Sequence, residues 1–63
     1  MTNVTLVEAL QEAISKEQED VAMYEALLKL VPESRGDMSR AIRGIMDNEK
    51  RHATVLRSFL PQQ

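Results

Sequence analysis

Along the first half of the chain, apolar residues recur at alternating steps of three and four: Val7, Leu10, Ile14, Val21, Tyr24, Leu28 and Val31. That spacing keeps side chains on one face of an α-helix; a strand would alternate every second residue. One member of the series is out of character, because Glu17 stands between Ile14 and Val21. The second half repeats the pattern with Met38, Ile42, Ile45, Leu56 and Phe59, and again its middle is polar, with Glu49 and His52 in the series. Apolar neighbours widen both stripes: Leu6, Ala9, Ala13 and Leu27 on the first, Ala41, Met46, Ala53 and Leu60 on the second. Two amphipathic helices are predicted, each with a polar break in its apolar face.

Local signals bound these helices. Thr5-Leu6-Val7-Glu8 has the form of a capping box, so the first helix is expected to start near Thr5 and to run without a breaker to about Val31, ahead of Pro32. The run 32–37 supplies the turn, with Asp37 expected to cap the second helix, which extends over about 38–60 before Pro61. Gly44 weakens its interior by about 1 kcal/mol. A turn this short makes the helices antiparallel neighbours, so residues 1–63 are read as one all-α helical hairpin. With the turn centred near residue 34, Glu17 lies at a height between Glu49 and His52. The three polar interruptions are therefore expected to meet, halfway along the hairpin.

Composition adds a size argument. Sixty-three residues in two helices cannot enclose a core of their own, and no cysteine is present to staple them or to form Cys-based metal sites. Self-association is expected, with two hairpins forming a four-helix bundle. No apolar run approaches the roughly 20 residues of a membrane span, and MTNVTLVEAL lacks the basic start and apolar segment of a secretory leader, so a cytoplasmic protein is expected. The net charge is −2, divided unevenly: the first helix carries six acids and two lysines, the second five basic residues and two acids. Such edges attract weakly across a hairpin. A Rop-like RNA-binding or adaptor hairpin is the alternative function, but RNA binding calls for a continuous basic stripe and stacking aromatics, and the two aromatics, Tyr24 and Phe59, both fall on the apolar stripes.

Carboxylates in an apolar stripe must be neutral, paired or bound to a cation. A two-fold dimer would gather four glutamates and two histidines at mid-bundle, and so many carboxylates would repel one another unless two divalent cations balanced them. Oxygen-rich ligation with a minority of imidazole suits iron or manganese, and zinc can also occupy it. Glu49 and His52, three residues apart on one helix face, can reach the same ion. The ordinary alternative is a polar layer that only fixes helix register.

The segment EQEDVAMY, Glu17 to Tyr24, followed by DNEKRHA, Asp47 to Ala53, resembles the first half of rubrerythrin and bacterioferritin. Those proteins have a ligating Glu with a Tyr seven positions later and an ExxH pair on the next helix, and they hold two such helix pairs in one chain. With a single pair, this sequence is similar to the encapsulated ferritins, whose two-helix subunits complete the site at a dimer interface. The resemblance spans about residues 6–60 and implies a ferritin-like four-helix bundle with a di-iron carboxylate site, two Fe ions per homodimer. It implies Glu17 as a terminal carboxylate ligand, Glu49 as a carboxylate bridging the metals and His52 as a terminal nitrogen ligand, with Tyr24 hydrogen-bonding a ligand carboxylate. The implied activity is Fe(II) oxidation by dioxygen or peroxide, of ferroxidase or peroxidase type, serving iron storage or oxidative-stress protection. With no cysteine the sequence has no rubredoxin-like electron donor, which leaves an external donor open.

Overall fold

A computed structural model describes residues 5–61. Helix α1 spans Leu6–Leu28 and helix α2 spans Gly36–Ser58, each of 23 residues, joined by a 3-10 turn over Glu33–Arg35. The helices lie antiparallel in a slab of 50 × 25 × 15 Å, two helices wide and only one helix thick.

The expected capping box forms. Thr5 Oγ1 accepts from the Glu8 backbone N–H at 3.1 Å, and the Glu8 carboxylate accepts from the Thr5 N–H at 3.4 Å. The other boundaries shift inward or earlier. Helix α1 stops at Leu28, where the sequence reading extends it to about Val31. Leu30 N–H and Val31 N–H turn to carbonyls three residues back, Leu27 and Leu28, as expected where Pro32 disfavours helical geometry in the residue before it. Helix α2 begins at Gly36, so Asp37 is not the cap but lies inside the first turn. Its carboxylate accepts from the Arg35 guanidinium through Nε at 3.0 Å and Nη2 at 3.3 Å, which holds the Asp37 carboxyl below its ordinary range.

On α1 the predicted face is the inner one: Ile14 is buried, and the other members of the series, Glu17 and Tyr24 included, are half-buried. On α2 the expected stripe divides. Ile42, Glu49 and Leu56 turn toward α1 together with Met46 and Ala53, whereas Met38, Ile45, His52 and Phe59 are exposed. The physical reason is that α2 has two apolar seams one residue apart. Residues 39, 42, 46, 49, 53, 56 and 60 form one heptad seam, and residues 38, 41, 45, 48, 52, 55 and 59 form the next. Only the first packs on α1. Phe59, read from the sequence as core, is 66% exposed.

The core is accordingly thin. Ile14, Ile42, Met46 and Ala53 are the buried residues, and no side chain among the described residues is fully enclosed. One face of each helix is covered and the rest is open.

Candidate metal centre

Midway along the slab, α1 contributes Glu17 from its inner face and α2 contributes Glu49 and His52, the second one turn after the first. One ligand-capable atom from each lies within 4.8 Å of the others. His52 Nδ1 is 3.7 Å from Glu17 Oε2 and 3.8 Å from Glu49 Oε1. These separations are too long for hydrogen bonds. Donor atoms about 2.1 Å from a shared cation, at angles near 90–110°, stand roughly 3.0–3.4 Å apart. The observed spacings exceed that by a few tenths of an ångström, a gap that side-chain rotation closes.

Burial separates the three. The Glu17 and Glu49 side chains are 22% and 19% exposed, while His52 is 56% exposed and borders the open face of α2. Glu17 Oε2 is buried without any hydrogen-bond partner. An acceptor withdrawn from water and left unpaired is costly, and a cation or a proton placed among these atoms removes the cost. The donor set therefore fits a metal ion: two oxygen ligands and one imidazole converge, with one oxygen unsatisfied.

The carboxylates disturb one another. The Glu49 carboxyl is pushed above its ordinary value, first because the neighbouring Glu17 carboxyl favours a shared proton and then because it is desolvated; Asp20 and His52 act in the opposite sense. Asp20, one turn beyond Glu17, joins the group: its carboxyl is also pushed up, chiefly by a proton shared with Glu49. Sequence reasoning missed Asp20 because it lies off the inner stripe of α1. The available signal was its spacing of three from Glu17, about one helical turn.

Tyr24 is half-buried on the same face, two turns along from Glu17, and its hydroxyl makes no hydrogen bond among the described residues. A shallow groove of about 220 Å³ lies between the two helices, lined by Gln18, Val21, Lys50, Ala53, Thr54 and Arg57. None of the three converging residues lines it, and its two cationic side chains make it unsuited to a cation.

The sequence model of the rubrerythrin family matches residues 8–63, which takes in all but the first two residues of α1, the whole of α2 and every residue of the cluster. The chain belongs to the rubrerythrin family. Its place is thus within the ferritin-like superfamily, whose helical bundles carry iron-binding carboxylate sites, and the two-helix chain corresponds to half of such a bundle. No match to the chain was found among curated proteins or among solved structures. No described helix of this rubrerythrin-family chain is long and apolar enough to cross a membrane.

Proposed function

We propose that two copies of this hairpin assemble around a di-iron carboxylate centre, two ions per dimer, that oxidises Fe(II) or reduces peroxide. In this reading Glu17 would serve as a terminal carboxylate ligand, Glu49 as the carboxylate common to both ions and His52 as a terminal nitrogen ligand. Three donors from one chain leave any transition-metal ion short of its usual coordination, and a second copy supplies the remainder. When bound, a pair of ferrous ions supplies the two electrons that reduce one O–O bond.

The chain's own residues have three tasks. Glu17, Asp20 and Glu49 concentrate negative charge at one height of the bundle and draw cations to it. Protons held among these carboxyls are displaced as cations enter, so loading releases protons and weakens at low pH. Leu10, Ile14, Val21 and Leu56 wall the centre with hydrocarbon, which strengthens each charge interaction inside and limits access of water. Tyr24 is positioned in sequence to donate its hydroxyl to a ligand carboxylate once the centre is loaded.

The observation that supports this reading most is the buried, unpartnered Glu17 Oε2 facing His52 Nδ1 at 3.7 Å. The test is elemental analysis of protein purified without an affinity tag, together with a salt-dependent RNA mobility-shift assay. About one iron per chain and no RNA shift supports the reading. Metal-free protein that cannot be loaded with Fe(II), or a salt-sensitive RNA shift, overturns it.

A further inference from the structure

The groove between the helices opens on the face of the slab away from His52. Round α2 from Ala53, the residues Lys50, Thr54 and Arg57 lie to one side and His52 to the other. Round α1, Gln18 and Asp20 flank Glu17 in the same way. A second copy assembled over the His52 face therefore leaves the groove open to solvent. Its floor is hydrocarbon, from half-buried Val21 and from Ala53, which is 4% exposed. Its walls are the exposed side chains of Gln18, Lys50, Thr54 and Arg57.

The cations on this face of α2 recur every seven residues, at Arg43, Lys50 and Arg57. With the turn centred near residue 34, each stands about level with a residue of α1: Arg43 with Glu25, Lys50 with Gln18 and Arg57 with Gln11. The first level has a carboxylate opposite the cation, and the other two have a neutral amide. Asp47 lies one turn before Lys50 but does not pair with it. Among the described residues, the ion pairs involve Lys16, Arg35 and His52, and neither Lys50 nor Arg57. Neither of those two side chains makes a hydrogen bond. Two adjacent cations thus border a cavity without any counter-charge from their own chain, although that chain is acidic overall.

We propose that this groove binds a small organic dianion, with a carboxylate at each end and methylene carbons between. The volume of about 220 Å³ is roughly seven times the share of one water in the liquid, which suits a short dicarboxylic acid and no macromolecular segment. Arg57 can take one carboxylate through two parallel N–H bonds, and Lys50 the other as a point charge. The two residues are about 10 Å apart along α2, and Ala53 lies between them. Val21 and Ala53 then meet the methylenes, a contact that inorganic phosphate or sulfate does not make. The Gln18 amide can donate to either end. Thr54 gives its own proton to the Lys50 carbonyl at 3.1 Å, so its oxygen is an acceptor and the anion is held by the other three side chains. No residue lining the groove belongs to the carboxylate cluster, so this inference stands or falls apart from the metal centre.

The test is titration of metal-free, nitrogen-15-labelled protein with glutarate at constant ionic strength, followed by amide chemical shifts. Exposed ion pairs are weak, so saturation is expected in the millimolar range, with the shifts concentrated at the residues lining the groove. Lys50→Gln and Arg57→Gln should each weaken binding about three-fold. Arg43→Gln makes the same charge change on the same face and should leave binding unaltered. Gln18→Glu should abolish the response, because it supplies the missing carboxylate from within the chain. All four positions are exposed, so circular dichroism should show an unchanged helical fold. No saturable shift at the groove, equal weakening by Arg43→Gln, or binding of acetate or inorganic phosphate as tight as that of glutarate would overturn the proposal.

Discussion

Glu17 and His52, thirty-five residues apart in sequence, meet across the hairpin with Oε2 and Nδ1 separated by 3.7 Å, and nothing donates a hydrogen bond to that oxygen. A structural polar layer would be expected to close this gap, since buried polar atoms are nearly always paired. The open contact is better suited to holding something between the two atoms.

Glu49 is the residue whose loss should matter most for metal, because it adjoins Glu17, Asp20 and His52 at once. Glu49→Ala is expected to abolish stoichiometric Fe(II) binding in anaerobic titration calorimetry. Retention of about one iron per chain would remove Glu49 as a ligand.

His52→Leu separates metal binding from folding. The imidazole and Asn48 interrupt the outward-facing seam of α2 between Ile45 and Val55, and leucine at position 52 removes one of these two polar interruptions. Iron uptake should fall sharply, while urea unfolding of the metal-free protein should show equal or greater stability. A large loss of metal-free stability would mean that His52 serves a structural hydrogen bond instead.

Much of this arrangement was legible in the sequence, and the exceptions share a cause. The capping box needs only residues 5–8, and the meeting of Glu17 with Glu49 and His52 needs only the position of the turn. The phase of α2 was harder. Because its two seams are offset by one residue, steps of three and four can cross from one to the other, as from Ile42 to Ile45, without meeting a charged side chain. Periodicity alone does not say which seam meets α1. Asp37 was misread for a local reason: Arg35 binds its carboxylate, and the helix starts at Gly36 without a side-chain cap.

Two substitutions test the local account of helix stability. Thr5→Ala removes an acceptor from the first turn of α1 and should cost about 1 kcal/mol in chemical unfolding. Gly44→Ala should stabilise by about 0.5–1 kcal/mol, because a Cβ at that position meets nothing within 4 Å and alanine removes backbone freedom from the unfolded chain. Destabilisation by Gly44→Ala would show that another copy packs closely over that point.

The last prediction concerns pH and has a definite sign. The Glu49 carboxyl in the folded chain titrates above its ordinary value of 4.5, so the folded state holds that proton more tightly than the unfolded state. The stabilisation this gives is complete below the ordinary value and is lost as pH rises through the raised one. Asp20 is shifted in the same direction. Metal-free protein should therefore melt at a higher temperature as pH falls from neutrality toward the ordinary glutamate value, within the range where the fold survives. Glu49→Gln should flatten this trend and raise the melting temperature at neutral pH, because an amide needs no proton to sit beside Glu17. Iron-loaded protein should show the opposite slope, since protons then compete with cations for the same oxygens. Calorimetric melting of the three samples across pH measures all of this. Identical slopes with and without iron would mean that the carboxylate cluster is not where the metal binds.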